Sequence, residues 1–119
     1  MDERARRELV ETYFEAVDAE SYEPFERVFS DSSQHIRPGQ PALVGADEIR
    51  SFFETERVSS NSTHTIERWV DFVDGAFCKI HVEGDIGDER YEGEAIVELA
   101  FDDDTETIAS YRVYRGYER

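Results

Sequence analysis

The apolar pattern of this chain changes period once, near Thr63, and that switch limits the possible folds more than any other feature. Before it, apolar residues recur at the three-and-four spacing of helices; after it they alternate, as on half-buried strands. Asp2 is placed to cap a first helix running to about Ala19, with Leu9, Tyr13, Ala16 and Val17 on one stripe and Val10 and Phe14 beside it. A short second helix is expected from Ser21, with Pro24 tolerated in its first turn, where N–H groups lack intrahelical partners. A short strand over 32–37 leads into a loop punctuated by Pro38, Gly39, Pro41 and Gly45. Asp47 and Glu48 then favour the start of a third helix, whose apolar face is Ile49, Phe52 and Phe53.

Four strands follow, over 64–73, 76–84, 90–101 and 107–117, with connections short enough to make neighbours antiparallel. In the third of them Tyr91, Gly93, Ala95, Val97, Leu99 and Phe101 share one face, and Glu92, Glu94, Ile96, Glu98 and Ala100 share the other. Helices followed by strands on this scale give an α+β domain with helices over one side of a bent sheet. At 119 residues the whole chain, 1–119, reads as one domain.

Charge then excludes several functions. With 29 acidic against 13 basic residues, a net −16, the chain has no general electrostatic affinity for nucleic acid or for anionic membrane surfaces. The 13% of aromatic residues along the periodic segments separates it from acidic disordered chains. Lys79 is the only lysine, and an acidic, lysine-poor surface suits concentrated salt, where screening shortens to about 3 Å and self-repulsion is weak. A halophilic cytoplasm is therefore the expected compartment. Cys78 is alone, which rules out an internal disulfide, and no apolar run approaches the ~20 residues of a membrane span.

Three segments carry a resemblance: Tyr13 to Asp31 ("YFEAVDAESYEPFERVFSD"), Arg37 to Phe53 ("RPGQPALVGADEIRSFF") and Glu98 to Tyr114 ("ELAFDDDTETIASYRVY"). They resemble the nuclear-transport-factor-2-like superfamily, in its SnoaL-like and ketosteroid-isomerase-like branch. The resemblance implies a cone-shaped, cystatin-like α+β fold, with three N-terminal helices packed on a curved, mostly antiparallel sheet around an apolar pocket. It also implies a small-molecule ligand, no cofactor, and a homodimer formed through the outer face of the sheet. Members include isomerases, cyclases, epoxide hydrolases, dehydratases and non-enzymatic binding modules.

In the isomerases a general-base Asp precedes a Pro, and a helix-borne Tyr and a protonated Asp hold the developing oxyanion. Tyr13 matches the Tyr. An ungapped alignment over 12–38 puts Arg37 at the base position, whereas counting back from Gly39-Gln40-Pro41 puts Ile36 there; neither abstracts a proton at neutral pH. Val97 occupies the second acid position, so the steroid-isomerase mechanism is not supported.

Strand residues two apart share a face, so His35 is expected in the pocket if Arg37 is. By alignment Ser110, Arg112 and Tyr114 join the same side, and Val97 and Leu99 belong to the walls with Cys78, Ile80, Val82 and Phe101. An imidazole and two guanidiniums in an apolar cup suit an anion-bearing ligand, with His35 and Tyr13 as the candidate catalytic pair. The plainer reading gives Arg37 and Arg112 buried acidic partners, and His35 a backbone carbonyl. No metal site is expected from His35, His64 and His81.

Overall fold

A computed structural model of the protein describes residues 1–115. Helix α1 (Glu3–Ala19) begins as its sequence requires, with the Asp2 carboxylate accepting the Ala5 N–H at 2.9 Å. It ends at Glu20, which adopts the left-handed conformation (φ 56), while the Ser21 N–H returns to the Ala16 carbonyl at 3.0 Å. Ser21 thus closes α1 rather than opening α2. The second helix is a single turn, Phe25–Val28, starting after Pro24.

Strand β1 (Phe29–Ile36) is longer than the expected segment and starts three residues earlier. It is followed by the two-residue β2 (Leu43–Val44), for which the sequence offers no alternating pattern, and by α3 (Ala46–Thr55). Gly45 joins them at φ 91, with its N–H on the Ser33 carbonyl at 2.8 Å. A Cβ there would sit 2.9 Å from the Asp31 carbonyl oxygen, so both the dihedral and the close approach demand glycine.

The long strands β3 (Ser59–Phe72), β4 (Gly75–Ile86), β5 (Glu89–Asp102) and β6 (Thr107–Arg115) form the expected antiparallel run. The last two positions of the expected 107–117 strand lie outside the described residues. The six strands form one sheet in the order β2-β1-β6-β5-β4-β3, with β1 and β6 parallel and all other neighbours antiparallel. Parallel pairing needs a long crossover, and α3 with β3 to β5 supplies it.

One irregularity decides which side chains face the helices. Phe101 pairs with Ile108 but Ala100 pairs with Ser110, so Ala109 is an extra residue in β6. Ile108 is fully buried before this bulge, and Tyr111 is buried after it. Parity is therefore reversed from Ser110 onward: Tyr111 and Val113 face inward, while Ser110, Arg112 and Tyr114 lie on the outer face. The expectation that those three residues share the inner face with His35 is corrected by this single insertion. The same reversal puts Tyr111 and Val113 on the inner face, whereas Phe77 and Ile96 lie on the outer one.

Inside, the sheet presents Ala76, Cys78, Ile80, Ala95, Val97, Leu99 and Ile108 to the helices. The helices and β1 answer with Val10, Tyr13, Phe14, Phe25, Phe29, Ile49 and Phe53. Val97 and Leu99, expected as pocket wall, are 0% and 1% exposed and belong to this sealed core.

Candidate functional site

At the centre of the core the β1–β6 pairing puts His35 opposite Tyr111. The imidazole stacks on the Tyr111 ring at 4.7 Å and 15°, and meets the edge of Phe53 at 5.7 Å. Its Nε2 lies 2.8 Å from the Tyr13 hydroxyl. Tyr13 comes from α1, so helix and sheet each supply one half of a buried polar pair. His35 therefore hydrogen-bonds a phenol rather than a backbone carbonyl. Its Nδ1 is buried and has no partner among the described residues.

Burial, reinforced by the positive charge of Arg37, pushes the imidazole down to about 3. Burial likewise raises the Tyr13 phenol far above its ordinary value. Both groups are neutral at pH 7, and an imidazole so depressed is a weak base. The pair is suited to presenting one hydrogen-bond donor, at His35 Nδ1, to an oxygen that gains negative charge, rather than to removing a proton.

Arg37 follows β1 directly and stays on the inner side, its guanidinium 4.1 Å above the Phe52 ring of α3. Its Nε is buried without a partner, and no carboxylate pairs with it among the described residues. Its charge acts on both His35 and Tyr13. Of the residues expected around the ligand, the fold thus brings Tyr13, His35 and Arg37 together. Arg112 and Tyr114 sit across the sheet, where the Tyr114 hydroxyl donates to Glu98 at 2.9 Å.

Two features were not anticipated. The first is Phe53, which separates the Tyr13–His35 pair from a surface groove of about 610 Å³ between the end of α1, α3 and the start of β3. Tyr22, Arg50, Arg57, Ser59 and Ser60 line that groove with it. The second is a polar clamp at the end of α1. Asp18 accepts hydrogen bonds from Ser62 Oγ at 2.8 Å, from the His64 backbone N–H at 2.8 Å and from His64 Nδ1 at 2.6 Å. Burial raises the Asp18 carboxyl, but those hydrogen bonds outweigh it and hold the group below the ordinary carboxylate value. Arg57 joins by donating to Ser62 Oγ at 2.8 Å, and Phe14 stacks on the His64 ring at 4.8 Å. One signal was present in the sequence: Asp18 sits four residues after Phe14, on the buried side of an amphipathic helix.

Among the described residues one group has metal-like spacing: Glu67, His81 and Glu94, on the outer face of the sheet. The Lys79 ammonium lies 3.6 Å from Glu67 and 3.4 Å from Glu94, so a cation of the chain already serves these carboxylates.

Residues 10–111 match the family model described as the SnoaL-like domain. A search of curated proteins finds no match. Among solved structures, an NTF2-like protein from Anabaena variabilis superposes with a TM-score of 0.81 at 15% identity, covering 97% of this chain and 89% of its own. An LEH-like epoxide hydrolase from M. tuberculosis gives 0.79 at 17% identity, over 94% and 78%. A Jannaschia protein provisionally named a SnoaL-like polyketide cyclase gives 0.80 at 10% identity, over 93% and 85%. At such identities the structural likeness carries the fold alone.

Proposed function

The chain belongs to the SnoaL-like domain family, and on that premise we propose that it binds a compact carbonyl compound in its core and promotes isomerase- or cyclase-type chemistry there. The observation that carries this reading is the buried Tyr13–His35 pair, with His35 Nδ1 unpartnered and Arg37 beside it. A buried polar atom without a partner costs about 1–3 kcal/mol, and a ligand oxygen at Nδ1 would recover it. With the Tyr13 hydroxyl donating to Nε2, the neutral imidazole carries its proton on Nδ1 and offers it to the ligand. A carbonyl oxygen held there gains negative charge as an enolate forms, the carbon-bound proton passing to water or a buffer base, or as a nucleophile adds to the carbonyl carbon. The Arg37 charge stabilises that change, and the surrounding aromatic rings keep the dielectric low.

Additions and enolisations of 1,3-dicarbonyl compounds suit such a site, because the carbon acid is already activated and the missing element is a donor to the oxygen. The ligand would enter by displacing Phe53, which is 9% exposed and forms the partition between the groove and the pair. The relatives named as an epoxide hydrolase and, provisionally, a polyketide cyclase make small organic substrates a consistent class.

The test follows enol–keto interconversion of small 1,3-diketones and β-keto acids by ultraviolet absorbance. Wild type is expected to accelerate it, and Tyr13→Phe or His35→Asn to lower the rate by about 10²–10³. Equal rates in wild type and both variants, with the fold intact by circular dichroism, would remove the reading.

A further inference from the structure

A second concavity, of about 380 Å³, opens beyond the end of β1, beside the last residues of β6. Ile36, Arg37, Gln40, Arg112, Tyr114 and Arg115 are among its walls. It lies outside the core pair. Arg37 reaches it from the inner side of the sheet, and Arg112 from the outer side, displaced there by the Ala109 bulge.

The charge at this groove runs against the rest of the molecule. Of the other arginines, Arg4, Arg6, Arg7, Arg50 and Arg90 each pair with a carboxylate, while Arg27, Arg57 and Arg68 do not among the described residues. Arg37, Arg112 and Arg115 have no such pair among the described residues, and all three line this one groove. Glu98, the cross-strand neighbour of Arg112, is engaged by the Tyr114 hydroxyl. The buried Nε of Arg37 also lacks a partner.

We propose that this groove binds a small, multiply charged oxyanion, of phosphate or polycarboxylate chemistry, gripped by Arg37, Arg112 and Arg115. Guanidinium forks match both kinds of oxygen array, and Gln40 adds a neutral donor. The parallel β1–β6 pair sets the spacing: Ile36, the last residue of β1, lies opposite Arg112, so Arg37 follows one position beyond that register while β6 runs on to Arg115. Binding here does not depend on turnover in the core, so the two readings fail independently.

The test is isothermal titration of the full chain in buffered KCl with pyrophosphate, citrate and acetate. Saturable binding of pyrophosphate or citrate, and none of acetate, is expected; which of the two binds identifies the chemistry. The Arg112→Gln/Arg115→Gln double variant changes two exposed side chains and leaves Tyr13 and His35 untouched. It should bind at least about tenfold more weakly, as loss of a charged hydrogen bond requires. No saturable binding of either polyanion would overturn the proposal. So would wild-type affinity in the double variant, or a double variant whose only change is its oligomeric state, which would make the arginines partners of a second copy.

Discussion

Buried with its Nδ1 unpartnered, His35 makes the sharpest residue-scale prediction. Its ordinary value of 6.5 falls to about 3 in the folded protein, first through burial and then through Arg37. Between those two pH values the unfolded chain binds a proton that the native state refuses. The unfolded state therefore holds more protons there, and stability rises with pH. The stabilisation is fully present above about pH 6.5 and is lost as pH falls toward 3. In a nitrogen-15 NMR titration the His35 ring should keep its neutral signature from about pH 8 to 5. Urea unfolding over the same range should show wild type losing stability relative to His35→Asn. A His35 ring that protonates near 6.5 would contradict the buried geometry and take the neutral-donor role with it.

At the scale of elements, the Asp18 clamp ties the last turn of α1 to β3, an edge strand of the sheet. Removing the carboxylate leaves the His64 and Ser62 donors facing an amide, so Asp18→Asn should cost about 1–3 kcal/mol in urea unfolding. Because the folded carboxyl is held below its ordinary 3.8, the clamp's pH-linked share is present above that value. It is lost as pH falls below it, a lower window than that of His35. An Asp18→Asn protein as stable as wild type at pH 7 would mean that the clamp is net neutral. Legibility also differed between elements. The cap of α1 and the periods and turn residues of α1, α3 and β3 to β6 are local chemistry and could be read directly, except that β3 starts at Ser59, five residues before the expected 64. The early start of β1, the pairing of β2 and the closure of α1 through Ser21 depend on distant backbone or on a non-glycine left-handed cap, and the apolar pattern is blind to both.

At the scale of the whole molecule, an apolar outer face and a strongly negative charge act against each other. The outer face of the sheet exposes Val70, Phe77, Ile96 and Tyr114 among charged residues. As the alternative to a catalytic core, we propose a homodimeric interaction module built on that face. Two copies at −16 each repel, so association should strengthen as KCl screens the charge. Sedimentation across a KCl series is expected to show a salt-favoured dimer, with a thermal midpoint that rises in parallel. A monomer at every salt concentration would leave the face unexplained and retire this alternative. Among the described residues, no helix is long and apolar enough to cross a membrane.

The sequence by itself determined the family, the α+β class, the order of the long elements and the pairing of His35 with Arg37 on one side. The family came from the resemblance of three segments, and the rest follows from periodicity, capping or short-range spacing, which act within a few residues. Only the tertiary structure decided that Tyr13 meets His35, that Phe53 stands between them and the surface, and that Ser110, Arg112 and Tyr114 face outward. The physical reason for the last is one residue: Ala109 carries no signal of its own, yet its insertion against β5 reverses every side chain after it.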